Sequence, residues 1–341
     1  MIKLTDFESL LLSKTPLIDV RAPVEFAEGS LPGSTNLPLM TDQERHEVGL
    51  MYKSQGQQAA IELGHQFVSG KVKEERIQKW IQFITQNPGT VIYCFRGGLR
   101  SRITQQWLKE AGYNVPLIEG GYKAVRRFLL DAMDEILPRL HFQIIGGPTG
   151  SGKTPYVRSQ RHFIDLESLA HHRGSAFGSY TDQPQPSQID FENRLVVEIL
   201  KLKNVADPVY LESESRMIGR CALPPAFYEK MLQSPRQEIS RPVHERVENI
   251  FQEYILHSPI GLKKEPDHFD HLQKSLDSIA KKLGGLRHKE ISQDLSLSRS
   301  EFLKDGSLHS NKIWIEKLLL WYYDPLYAHA RARVNKKSGP A

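Results

Sequence analysis

Two stretches of this chain combine reactive, cationic and glycine residues at spacings that suit chemistry. The first reads Cys94-Phe95-Arg96-Gly97-Gly98-Leu99-Arg100-Ser101. Its cysteine closes an apolar run, and a glycine turn then leads into a helical pattern. Such a cysteine faces backbone N–H groups and a helix N-terminus, which stabilise an anion at sulfur. Arg96 and Arg100 add positive charge nearby. The thiolate is the nucleophilic form, so Cys94, Arg96 and Arg100 are the candidate catalytic residues. The plainer alternative is an inert cysteine ending a core strand. Cys221 has no comparable frame of glycines and cations and is expected to be structural.

The second stretch, Gly147-Pro148-Thr149-Gly150-Ser151-Gly152-Lys153-Thr154, matches G-x-x-x-x-G-K-[ST] after an apolar run. The glycines let backbone N–H groups turn inward around phosphate oxygens, Lys153 adds a point charge, and the Thr154 hydroxyl can reach a Mg2+ ion. Gly147, Thr149, Gly150, Ser151, Gly152, Lys153 and Thr154 are therefore expected to bind a phosphate group, and a diphosphate ester suits the cradle as well as a nucleotide does. Arg216 could face the same anion, and Glu212 or Glu214 could supply an acidic metal partner. His171-His172-Arg173-Gly174 is a polar cluster suited to phosphate or RNA. No Cys/His spacing resembles a zinc site, and the metal, if any, is left open.

The first loop has the spacing of cysteine-dependent phosphatases: cysteine, five residues, arginine, serine. Rhodanese-type sulfurtransferases usually have a loop one residue shorter, so this one admits an anion the size of phosphate or selenophosphate. A phosphatase often has histidine before the cysteine, where this chain has Tyr93.

The elements that must position these loops alternate between strand and helix. Residues 16–20 read as a short buried strand. Residues 71–86 have helical spacing, TVIYCF ends a second strand at Cys94, a helix follows Ser101, and VPLIE (115–119) reads as a third strand. A helical stretch over 122–137 stops at Pro138. A strand from His141 leads into the second loop, with further strands at 163–166 and 209–212. Helical spacing marks 243–255, and the remainder is mainly helical, ending in a frayed tail over 335–341. TDQPQPS (181–187) reads as an exposed loop within the second domain. Alternating strands and helices imply parallel sheets covered on both faces. The expected fold class is α/β: one parallel-sheet domain over 1–137, then a phosphate-binding α/β domain over 138–341 with a helical C-terminal part.

Composition narrows the function classes. With 341 residues, 39% of them hydrophobic, the chain can bury two cores, and 25% charged and 9% aromatic residues exclude wholesale disorder. Two cysteines make a disulfide framework implausible and suit a reducing cytoplasm. The N-terminus has no signal-peptide pattern, and no run of about 18 apolar residues exists to span a membrane. The net charge of +5, weighted toward the C-terminal part, permits a polyanionic partner such as RNA without demanding one.

Taken together, the two loops resemble those of the bacterial tRNA 2-selenouridine synthases, in which a rhodanese-like domain is joined to a P-loop domain. Further stretches that carry the likeness are LIDVRAPVEFAEGSLPGSTNLPL (17–39), EVGLMYKSQG (47–56), IELGH (61–65), IEGGYKAVRRF (118–128), HHRGSAFG (171–178), SRMIG (215–219) and YYDPLY (322–327). They cover nearly the whole chain. Where that family often has Asp after the Glu of VYLE, this chain has Ser213. The resemblance implies a tRNA substrate carrying 2-thiouridine at the wobble position of the anticodon loop. Its sulfur would be exchanged for selenium from selenophosphate, through an S-geranylated intermediate made from geranyl diphosphate. It also implies that the P-loop holds the diphosphate and that Cys94 carries selenium as a perselenide or otherwise handles selenophosphate. On the residues alone two other classes stay open: a Cys-dependent phosphatase fused to a P-loop kinase or NTPase, and an RNA-binding scaffold with degenerate loops. Intact Cys94, Lys153 and Thr154 speak against the scaffold.

Overall fold

The computed structural model describes residues 7–180, 183–257 and 265–337. The chain forms two compact units, 1–140 with 186–205, and 141–185 with 206–341.

The first unit contains, in order, α1 (Phe7–Leu12), β1 (Leu17–Asp19), α2 (Pro23–Glu28), β2 (Ser34–Asn36), α3 (Asp42–Phe67), α4 (Gly70–Gln86), β3 (Val91–Tyr93), α5 (Leu99–Glu110) and α6 (Gly121–Ile136). Its sheet is parallel, ordered β2-β1-β3, with Leu17 opposite both Ser34 and Val91. β1 and β3 are buried along their whole length, as expected of strands covered on both faces. The expected strand at 115–119 shrinks to one parallel bridge, Ile92 to Leu117. Pro116 has no N–H to extend the ladder, and the turn at Gly120-Gly121 follows at once. Helix α3 went unread in the sequence. It is mostly polar, and it bends sharply at Gly56, whose φ of 86° and ψ of −173° leave the helical region.

A later helix, Gln188–Lys201, belongs to this unit as well. Asp190 Oδ1 accepts from the Ser30 N–H at 2.7 Å and its hydroxyl at 2.9 Å, Asn193 Nδ2 donates to Ser30 O at 2.7 Å, and Arg126 bonds Asn193 and Glu192. The compact units therefore divide at 140, 185 and 205, where the sequence suggests a single boundary at Pro138. Residues 183–185 of the expected 181–187 loop are in the second unit, 186–187 in the first, and 181–182 lie outside the described residues.

The second unit holds a parallel sheet ordered β5-β4-β8, from β4 (Phe142–Gly146), β5 (Val209–Glu212) and β8 (Arg236–Glu238). Its helices include α7 (Lys153–Arg158) and α8 (Leu166–Ala170); the Gln188–Lys201 helix is α9 in chain order. A short antiparallel hairpin pairs β6 (Met217–Ile218) with β7 (Cys221–Ala222), and α10 (Pro225–Gln233) follows. α11 (Val243–Ile250) runs on as a wider turn over Phe251–Leu256. The expected strand at 163–166 is a single bridge, Phe163 to Tyr210, because Leu166 already starts α8. The C-terminal part is helical as expected: α12 (Glu265–Ser278), α13 (Ala280–Leu283), α14 (Gly285–Asp305), α15 (Asn311–Leu318) and α16 (Asp324–Lys337). Phe177, Phe251, Leu295, Trp314 and Leu319 are among the residues of its core. Of the expected frayed tail, 335–337 end α16, and 338–341 lie outside the described residues. Among the described residues no helix is long and apolar enough to cross a membrane. Cys94 and Cys221 are both buried.

Candidate active sites

β3 delivers Cys94 to a crossing of two glycine turns. The Cys94 and Phe95 carbonyls accept from the N–H groups of Tyr122 and Lys123, each at 2.9 Å, which ties the end of the strand to the start of α6. Gly121, at φ 58°, makes this approach possible: a Cβ there would lie 2.2 Å from Cys94 O. Cys94 is 3% exposed, and its Sγ lies 3.1 Å from Ser101 Oγ in the first turn of α5. Ser101 also reaches Gly98 O at 3.2 Å. Its one proton can serve that carbonyl or a thiolate.

Arg100 points to an acid that the sequence reading missed. Its guanidinium grips Glu25 with two bonds, of 2.5 and 3.1 Å, and Arg45 approaches the same carboxylate at 3.7 Å. Burial pushes the Glu25 carboxyl up, but the hydrogen bond and charge of Arg100 outweigh it and hold Glu25 below the usual carboxylate range. Arg100 is thus held in place by a matched charge. Arg96 is exposed, with its guanidinium 5.8 Å from the Phe95 ring centre. The only sequence signal for Glu25 was its place in the first turn of a proline-started helix.

In the second unit the loop from Gly147 to Thr154 joins β4 to α7. Three consecutive loop carbonyls are each held from outside. Arg246 Nε donates to Thr149 O at 2.8 Å, Asn249 Nδ2 to Gly150 O at 2.8 Å, and Arg241 Nε to Ser151 O at 3.1 Å. A planar trans peptide puts its N–H opposite its carbonyl, so pinning the Thr149 and Ser151 carbonyls turns the N–H groups of Gly150 and Gly152 the other way, as an anion cradle requires, while the Ser151 N–H donates to Pro148 O at 3.2 Å. Arg246 is 4% exposed and is itself held by Asp324 at 3.1 and 2.5 Å. Ser151 Oγ is buried without a hydrogen-bond partner, a donor left for a ligand oxygen. Lys153 Nζ donates to Gly147 O at 3.0 Å and Pro148 O at 3.4 Å. Arg216 is exposed, and among the described residues no hydrogen bond or ion pair joins it to the loop. Arg241, Arg246 and Asn249 lie far along the chain from the loop and carried no signal, and Asp324 stood in the YYDPLY stretch with nothing to tie it to the loop.

Beside the loop stand three carboxylates. Ligand atoms of Glu167, Glu212 and Glu214 all lie within 4.8 Å of one another. Glu212 ends β5 opposite Ile145. Burial raises its carboxyl, while Lys153 and a hydrogen bond from Thr154 oppose the rise. Burial and then the Glu212 and Glu214 charges push Glu167 up to about 9, and burial and Glu212 push Glu214 up to about 7. Crowded hard oxygen donors beside a P-loop threonine fit a Mg2+ ion, so both expected acids join the site, with Glu167 added. The His171 to Gly174 segment borders the cluster: a Cβ on Gly174 would come 2.7 Å from Glu214 Oε2. Arg173 lies 4.3 Å from the ring centre of Tyr180 and 4.6 Å from that of Tyr254, and it pairs with Glu253 at 3.3 Å.

Residues 140–339 match the family model described as tRNA 2-selenouridine synthase AAA domain, and residues 4–127 match that of the rhodanese-like domain. The chain belongs to the tRNA 2-selenouridine synthase family. Among its relatives, a protein of Nitrosomonas eutropha named tRNA 2-selenouridine synthase is 48% identical, over 97% of this chain and 92% of its own length. One of the same name from Bdellovibrio bacteriovorus is 46% identical, over 96% of this chain and 91% of its own. Cys94 lies within the stretch matched as rhodanese-like domain, and Lys153 within the stretch matched as the AAA domain.

Proposed function

We propose that the chain converts wobble 2-thiouridine of tRNA to 2-selenouridine in two steps. In the first, the thiocarbonyl sulfur attacks C1 of geranyl diphosphate. A C–S bond forms, the C–O bond breaks with its electron pair leaving on diphosphate, and the base loses one proton to solvent. Alkylation turns a poor leaving group into a thiol that can depart. The observation that carries this reading is the loop whose three carbonyls are pinned outward, with Ser151 Oγ buried and unpartnered inside it. Such a cradle stabilises a departing diphosphate electrostatically. Thr154, Glu167, Glu212 and Glu214 would hold Mg2+, which when bound neutralises phosphate charge.

In the second step selenium of selenophosphate attacks C2 of the base. A C–Se bond forms, the C–S bond breaks, and geranylthiol leaves with a proton. The phosphoryl group left on selenium is then released to water as phosphate. Selenium keeps its oxidation state, so no oxidant is needed, whereas a perselenide on Cys94 would require one. In this route the Cys94 thiolate, with Ser101 beside it, acts on the phosphoryl group: a P–S bond forms as the P–Se bond breaks, and water opens the P–S bond. An anticodon loop is single-stranded, so its base can be splayed out for both steps.

The cysteine–serine contact also favours a second reading, a Cys-dependent phosphatase. Against it, Glu25, the acid bound to Arg100, is held below the usual carboxylate range and so is a poor proton donor.

Mass spectrometry of tRNA nucleosides after incubation with geranyl diphosphate, with and without selenophosphate, tests the proposal. Cys94→Ala should still form S-geranyl-2-thiouridine but stall at the Se-phosphoryl base without releasing 2-selenouridine, and Lys153→Ala should block geranylation. Unchanged 2-selenouridine from Cys94→Ala would defeat the reading. Cys94-dependent hydrolysis of an aryl phosphate without tRNA would favour the phosphatase.

A further inference from the structure

The first unit contains a cavity of about 400 Å3 that the chemistry so far does not use. This volume is in the range of small-molecule sites. Val48, Ile61, Val68, Ile103 and Trp107 contribute apolar walls, and the lining also includes Leu99 and Arg100 of the Cys94 loop. The cavity therefore begins where the sulfur and selenium chemistry is placed.

The path of α3 accounts for the space. At Gly56 the helix folds back, so that position 64 returns beside position 48: a Cβ on Gly64 would lie 3.9 Å from Val48 Cγ2. Gly49 and Gly64 both line the cavity, neither has a left-handed φ, and a Cβ on Gly49 would meet nothing within 4 Å. Neither glycine is needed for backbone shape or for close packing. Each weakens its helix relative to alanine, and apolar space left open in a core costs stability as well. What the two glycines provide is room.

We infer that this cavity binds an acyclic aliphatic chain of about ten carbons, the prenyl group of the S-alkylated base and of the thiol that leaves it. The inference rests on the two-step reading above and assigns the chain to the rhodanese-like unit during selenium transfer. The cavity's walls offer the chain apolar contact, while Arg100 and Arg45 place cationic groups in the same lining for the polar end. The site then prefers a long S-alkyl substituent to a short one, because binding strengthens with each methylene buried.

The test uses the full chain and two nucleoside probes, S-geranyl-2-thiouridine and S-methyl-2-thiouridine, with binding measured by calorimetry. The geranyl nucleoside should bind at least a hundredfold more tightly. Gly64→Leu, which projects into the cavity, should cut that preference tenfold or more and leave the methyl nucleoside's weak binding unchanged. Gly64→Ala, which firms the helix and adds one methyl, should keep most of the preference and serves as the folding control. Geranylation of tRNA from geranyl diphosphate should be unaffected by Gly64→Leu. Equal affinity for the two nucleosides, or an undiminished preference in a folded Gly64→Leu chain, would overturn the assignment. If no geranyl-tRNA forms while the Gly64-sensitive preference persists, the two-step reading falls and the cavity stands as an aliphatic-chain site.

Discussion

Removing the Arg246 side chain isolates what holds the phosphate loop in shape. Its guanidinium is 4% exposed, bonds Thr149 O at 2.8 Å and makes two bonds to Asp324. Arg246→Ala leaves Thr149 O without its donor and Asp324 without its cation. Removing one partner of a fully buried pair costs about 3–5 kcal/mol. The Asp324 side chain is 30% exposed and water can reach it, so the low end applies, roughly 3 kcal/mol for the guanidinium as a whole. In a unit of this size that corresponds to a melting point lower by about 6–12 °C. With its carbonyl released, the peptide between Thr149 and Gly150 can rotate, and one inward N–H is lost from the cradle. Affinity for inorganic diphosphate should fall about tenfold, the worth of one hydrogen bond to a charged group. Scanning calorimetry gives the first number and titration calorimetry with inorganic diphosphate the second. Asp324→Asn, which keeps an acceptor, should fall between wild type and Arg246→Ala. The double variant Arg246→Ala/Asp324→Ala should be less destabilised than the two single changes added together. A melting point within 2 °C of wild type, together with unchanged diphosphate affinity, would refute the claim that this arginine shapes the loop.

Two further outcomes follow from the same geometry. Ser101→Ala removes the hydroxyl 3.1 Å from Cys94 Sγ and should slow 2-selenouridine formation about tenfold or more while S-geranyl-tRNA forms at the wild-type rate, read by nucleoside mass spectrometry. Because Glu214 is pushed up to about 7 and Glu167 to about 9, the folded chain retains protons above pH 4.5 that the unfolded chain has lost, so stability falls as pH rises through that window. Without divalent cations the melting point of the second unit should drop between pH 5 and pH 8, Glu167→Gln should flatten the slope, and added Mg2+ should raise the melting point more at pH 8 than at pH 6. An unchanged slope in Glu167→Gln would show that the cluster is not its source.

Short-range pattern in the sequence was enough to place both reactive loops, the strands that feed them and the helices that leave them, because each loop lies in consecutive residues whose glycines and charges are all local. The helical C-terminal part was legible for the same reason. What could not be read came from residues distant in sequence. Glu25 meets Arg100 across 75 positions, Arg246 meets Thr149 across 97, and Glu167 joins Glu212 through the bridge of Phe163 to Tyr210 of β5. The α9 helix shows an ordinary amphipathic pattern, and its packing on α6 and α1 together with its hydrogen bonds to Ser30 and Arg126 decides which unit it completes. The cavity was the least legible feature, since α3 has a weak apolar pattern and its fold-back depends on one glycine. Local spacing thus determined which groups could react. Tertiary pairing decided which carbonyls turn outward, which charges are matched and where room is left, because these depend on which buried surfaces meet.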